Sequence, residues 1–228
     1  MPYAPEIRPK LLISLVVDGV GDKLGLSSAS FALVVEGQED VVSLRALRPH
    51  LSENVGRALR THQMVIEPIG GAGNLTYKLS LLRTFLCGTH TLLDGDDAGR
   101  SVFSKAERDG LVNVANCTFV LCKGFKNAEF EDCIDPVLYR DAIAQEFGVD
   151  IDKPQFRGNE KWSVRMKDCF MTQGKDMTEA LLGRVKFVVA RAVERSPVTA
   201  LHEYKRTSID ALVQALNAAL SKPHLGGA

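Results

Sequence analysis

The sequence predicts an α/β protein: a mainly parallel sheet with helices on both faces, followed by a region that is helical throughout. Three observations carry this expectation. Short apolar runs rich in Val, Leu and Ile cover residues 31–35, 64–69 and 116–122, and another ends at 91–93. Between them lie stretches with helical spacing, and strands alternating with helices pair in parallel. From about residue 132 the strand pattern stops, and apolar residues recur three or four apart.

Residues 1–29 read as a possible connecting segment, with an apolar run at 11–17 suited to an edge strand and a turn at 18–22. The first strand, 31–35, stops at Glu36. Gly37 permits a tight turn, and a short helix over 41–47 follows, with Pro49 near its end. Residues 51–62 form a second helix or continue the first. The second strand, 64–69, contains Glu67 and Pro68, and the proline favours a strand end or a sheet edge. A glycine-rich turn, Ile69-Gly70-Gly71-Ala72-Gly73-Asn74, leads into a helix over 75–86, with Asn74 as its N-cap. The N–H groups of such a turn could hold a phosphate; a tight connection between strand and helix is the plainer reading. After the strand ending at 91–93, a helix spans 98–108, closed by Asp109-Gly110. The fourth strand, 116–122, runs into a polar loop at 123–127. Helices are then expected over 136–146, with Pro136 as first helical residue, and over 162–170, 178–194 and 208–221. A loop at 150–161 and a break at 172–175 separate them, and the tail at 223–228 reads as frayed. The expected organisation is a sheet domain over 1–127 and a helical domain over 128–228.

A chain of 228 residues with 45% hydrophobic and 25% charged residues can bury a sizeable core and has ordinary globular composition. No apolar run reaches membrane-span length and no signal-peptide pattern opens the chain, so the cytoplasm is the expected location and no membrane partner is expected. The five cysteines form no C-x-x-C pair, which favours reduced core thiols over a zinc site or a disulfide framework. The net charge of zero divides unevenly. Residues 1–152 hold 15 Lys and Arg against 21 Asp and Glu, a balance of −6; residues 153–228 hold 13 against 7, a balance of +6. An acidic half followed by a basic half suits an enzyme acting on a polyanion. Chance variation among solvated helices is the competing account.

Two acidic stretches organise the chain, Ser30 to Asp40 and Thr89 to Gly99. Each is an apolar run that halts at carboxylates. Glu36 and Asp40 are four apart and lie on one side if a helix starts in the turn. Asp94 and Asp96 alternate to one face if extended. Parallel strands bring their carboxyl ends to one sheet edge, where ligands usually bind. Four carboxylates gathered there repel one another unless cations intervene, and hard oxygen donors suit Mg²⁺ or Mn²⁺. A divalent-metal site for phosphoryl chemistry follows as an expectation. Helix capping and solvated turns are the competing reading of each stretch, with Asp97 the expected cap of the helix at 98–108.

An E-G-x-x-D turn followed about 54 residues later by D-x-D resembles the Toprim domain, over about Phe31 to Leu121. The turn at Ile69–Asn74, the run Ala128-Glu129-Phe130-Glu131-Asp132-Cys133-Ile134, and a lysine-bearing helix Gly183-Arg184-Val185-Lys186-Phe187-Val188-Val189-Ala190 are similar to the OLD (overcoming lysogenization defect) family of nucleases. The resemblance implies a Toprim-type, Rossmann-like sheet and the C-terminal catalytic region of a DNA endonuclease with two-metal chemistry. On that basis Asp94 and Asp96 serve one metal, Glu36 and Asp40 bridge toward it or a second, and Glu129 and Glu131 supplement the second. Lys186 would stabilise developing phosphate charge, with Lys167 and Lys175 as alternatives. That family usually carries an N-terminal ABC-type ATPase. No G-x-x-x-x-G-K-[ST] loop is present, so the ATPase is an expected partner rather than a part of this chain, which reads as an excised catalytic region or a detached nuclease. The alternative is a non-catalytic Toprim module of RecR type that assembles on DNA. No tyrosine lies in a strand-passage context and no zinc module is present, which argues against a topoisomerase and a primase.

Overall fold

Every position of the segment FALVV at residues 31–35 is buried, as a strand covered on both faces requires. This strand, β1 (Phe31–Val35), is internal to an all-parallel sheet with β2 (Met64–Pro68), β3 (Gly88–Leu93) and β4 (Cys117–Phe119), in the order β2-β1-β3-β4. Phe31 aligns with Met64 on one side and Gly88 on the other. The computed structural model describes residues 29–85 and 87–221; the strand and turn expected within 11–22 and the tail at 223–228 lie outside them.

Among the described residues there are eight α-helices: α1 (Gln38–Leu51), α2 (Glu53–Arg60), α3 (Leu75–Thr84), α4 (Asp97–Arg108), α5 (Arg140–Phe147), α6 (Trp162–Thr172), α7 (Glu179–Arg195) and α8 (Thr207–Leu220). Alternate side chains of β1 feed two separate apolar layers. Ala32 and Val34 join Leu75, Leu79 and Leu82 of α3 and Phe103 of α4. Phe31, Leu33 and Val35 join Leu44 of α1 and Val55 of α2, and this same core continues through Trp162, Val189 and Leu212 of α6, α7 and α8. The α/β architecture, with an all-parallel sheet covered on both faces, is as the sequence predicts. No helix among the described residues is long and apolar enough to cross a membrane, and none of the five cysteines is in a disulfide.

Several boundaries differ for identifiable reasons. Helix α1 starts three residues early, because the Asp40 side chain caps it by accepting from the Gly37 N–H at 2.9 Å. Ser52 then breaks it in extended conformation and caps α2, accepting from the Val55 N–H at 3.0 Å. Strand β4 is shorter than the expected 116–122, since Leu121 turns from the sheet to the first turn of α8. Its N–H donates to Ser208 Oγ, which donates to the Leu121 carbonyl, both at 2.7 Å. The helix expected from residue 136 divides into a 3₁₀ turn at Pro136–Leu138 and α5. Asn74 does not cap α3; its amide donates to the Gly70 carbonyl at 3.0 Å, bracing a turn in which Gly70 and Gly71 hold φ of +73° and +111°.

Candidate functional site

Strands β1 and β3 are parallel neighbours, so the residues that follow them emerge side by side. The Asp94 N–H donates to Glu36 Oε1 at 2.9 Å. This is the crevice where the strand order reverses, with β2 on one side of β1 and β3 on the other. Asp40, in the first turn of α1, is buried beside it. Two hydrogen bonds from main-chain N–H groups attach a distant turn to the same edge: the Phe130 N–H donates to Asp94 Oδ1 at 3.1 Å, and the Gly95 N–H to the Ala128 carbonyl at 2.8 Å. They bring Glu129 and Glu131, both buried, to the end of β3. The approach is close enough to need glycine. A Cβ on Gly95 would sit 2.0 Å from the Val120 carbonyl oxygen, and one on Gly99 2.2 Å from that of Asp94.

Two lysines enter this acidic crevice from the helical part of the chain. Lys161, at the start of α6, places Nζ 2.8 Å from Asp96 Oδ2 and 3.1 Å from Glu129 Oε1. Lys186, on α7, lies 3.3 Å from Glu131 Oε2, in an orientation that makes no hydrogen bond and leaves this buried oxygen without a donor. Ser163 secures Glu129 further, through its N–H at 2.6 Å and its hydroxyl at 2.8 Å. The neighbouring Asp132 accepts from the N–H groups of Glu129 and Trp162 and pairs with Arg165, which fixes the acidic turn against α6. A cavity of about 390 Å³ opens here, lined by Glu36, Asp94, Asp96, Glu129, Lys161 and Lys186, with Glu39 and Glu179 also on its wall.

Burial dominates the electrostatics. It pushes Asp40 up to about 7 and Glu131 up to about 8, and neither is brought back to its ordinary value by Lys186. Asp94 is driven well above its ordinary value by burial and by the Glu36 carboxylate. Glu36 is raised by burial, against the hydrogen bond from Asp94. Asp96 behaves differently: burial would raise it, but bonds from the Gly99 N–H and Lys161 outweigh that and hold it below the usual range. Lys186 would be lowered by burial, yet Glu131, Glu129, Asp94 and Asp40 around it keep it well above its usual value. Without a further cation, burial therefore favours the protonated, neutral form of Asp94 and Glu131.

All six carboxylates named from sequence, and Lys186, meet at this one edge. The alternative lysines do not. Lys175 donates to the Phe147 carbonyl, and Lys167 is exposed on α6. Capping of α4 falls to Asp96 rather than Asp97: Asp96 Oδ1 accepts from the Gly99 N–H at 2.8 Å, while Asp97 is exposed and pairs with Arg100 at 3.2 Å. Sequence reasoning missed Lys161 and Ser163, which stand at a loop–helix junction without periodic neighbours. Among the described residues, no three His, Cys, Asp or Glu side chains converge as a ready metal-ligand set. The reason is visible in the pairing: Asp96 is divided between a helix cap and Lys161, and Glu129 between Lys161 and Ser163. The donor set nonetheless fits a hard divalent ion, being all carboxylate oxygen with one buried oxygen, Glu131 Oε2, lacking a hydrogen-bond donor. In comparisons with family models, curated proteins and solved structures, the chain matches none.

Proposed function

We propose that the protein is a Mg²⁺- or Mn²⁺-dependent phosphodiester hydrolase, the Toprim-type catalytic region of an OLD-family DNA endonuclease, working in the cytoplasm with an ABC-type ATPase partner. One observation carries the reading. Carboxyl groups from three separated segments of the chain are gathered at the switch point of a parallel sheet, where burial disfavours their charged forms unless a further cation joins them. Divalent ions bound there would supply Lewis acidity and an activated water for attack on phosphorus. Glu36, Asp40, Asp94 and Glu131 are the residues suited to hold one ion, and Asp96 with Glu129 a second. Lys186, fixed among four carboxylates, remains a cation and is placed to meet the charge that develops on a phosphate oxygen.

Plasmid nicking with Mg²⁺, with Mn²⁺ and with EDTA tests this. Cleavage is expected with the metals, to vanish with EDTA, and to be lost in Asp94→Ala while circular dichroism stays native. Metal-independent cleavage, or full activity in Asp94→Ala, would remove the reading. The Lys161 bridge between Asp96 and Glu129 favours one alternative, a RecR-type binding module in which an ammonium has replaced the metal. DNA retention without cleavage under any metal would select it.

A further inference from the structure

The Lys161 ammonium sits between two carboxylates whose chain neighbours, Gly95 and Ala128, are joined by a backbone hydrogen bond of 2.8 Å. Asp96 comes from the end of β3 and Glu129 from the turn after β4, and the lysine contacts them at 2.8 and 3.1 Å. Both oxygens it touches are hard donors on buried residues. Each carboxylate is anchored independently of the lysine, Asp96 by the Gly99 N–H and Glu129 by Ser163, so both would keep their places if the ammonium left. Lys161 is anchored differently. Its backbone leads into α6, where the next residue donates its N–H to Asp132, while its side chain is 26% exposed beside a run of exposed residues at 157–160. The charged end can swing into water without disturbing the helix behind it. A fixed pair of carboxylates with a movable cation between them is an exchangeable counter-ion position.

We propose that Lys161 is a tethered counter-ion that occupies the Asp96–Glu129 position and is displaced by the second divalent ion. The inference rests on the metal-dependent reading above and deepens it. The position near Asp94 and Glu131, where Lys186 leaves a buried oxygen without a donor, fills first. The Asp96–Glu129 position fills only as the lysine withdraws, so occupancy of the second site is set by competition within the chain. The crevice is then kept compensated when metal is scarce, and the two ions bind with unequal affinity.

Titration of the full chain with Mn²⁺, followed by electron paramagnetic resonance of the unbound ion and by calorimetry, reads this directly. Wild type is expected to show one tighter and one weaker site. Lys161→Met keeps much of the apolar stem and should tighten the weaker site roughly tenfold or more, the scale of removing a charge-assisted competitor. Adding Glu129→Gln to Lys161→Met should abolish that gain, which places the added ion on Glu129; a gain that persists would overturn the inference. Thermal unfolding in EDTA verifies that each variant is folded, and Lys161→Gln, which keeps a hydrogen-bond donor, serves where Lys161→Met fails to fold. Equal Mn²⁺ binding by wild type and the folded Lys161 variant overturns the tethered counter-ion and leaves the metal-dependent reading standing. No Mn²⁺ on either protein removes both.

Discussion

Arg165 shows how much one buried residue can hold. Its guanidinium pairs with Asp132, donates to the carbonyls of Phe156 and Glu160, and stacks near the rings of Phe156 and Phe125 at 4.6 and 5.3 Å. Arg165→Ala would leave the Asp132 carboxylate buried without its cation, a loss of about 3–5 kcal/mol, measurable as a shift of the urea midpoint. An unchanged midpoint would show that Asp132 is held by its backbone donors alone. His90 has the opposite character. Burial pushes its imidazole down to about 4 from an ordinary 6.5, with Nε2 2.8 Å from Thr118 Oγ1. A folded value below the unfolded one means that its contribution is whole above pH 6.5 and is lost as pH falls through about 4. The difference in stability between wild type and His90→Gln should therefore shrink on acidification by up to about 3 kcal/mol. A constant difference between pH 7 and 4 would contradict this. At the same scale, Glu36 and Asp94 were legible in the sequence because an apolar run that stops at a carboxylate marks a strand end. Lys161 was not, since its importance comes from partners 65 and 32 residues earlier in the chain, Asp96 and Glu129, and from the Asp132 contact that sets the start of α6.

Ser52 ties the start of helix α2 both to its own first turn and to the last turn of α8. It caps α2 through Val55 and donates from the same hydroxyl to Asn217 of α8 at 2.9 Å. Ser52→Ala should cost about 1 kcal/mol for the lost cap, with the Asn217 contact adding to it; the substitution Asn217→Ala should remove only the second part. Equal losses in the two variants would argue against the cap. The elements themselves were readable wherever local pattern decides them, as in β1 with its five consecutive buried residues. The early exit of β4 was not readable, because the competing partner for Leu121 is Ser208, 87 residues away. Tertiary hydrogen bonding overrode a β-prone run there.

Across the whole molecule, one apolar core runs from the sheet through α1 and α2 into α6, α7 and α8. Val189 and Leu212 stand in the same cluster as Leu33. A fragment ending at residue 127 should accordingly expose one face of the sheet and fail to give a cooperative unfolding transition. A fragment that unfolds cooperatively with native-like near-ultraviolet circular dichroism would refute this. The charge asymmetry read from sequence finds its physical form at this scale: Lys161 and Lys186 from the basic half reach into a crevice built by carboxylates of the acidic half.

Gly95 and Gly99 fit where one main chain rests on another with no room for a methyl group. In a saturation library over these residues, both positions should empty under any screen that asks only for soluble protein. Glu36 and Lys186 should thin out chiefly when survivors must also nick DNA, the activity proposed above. Subtracting one screen from the other would separate scaffolding from the proposed chemistry.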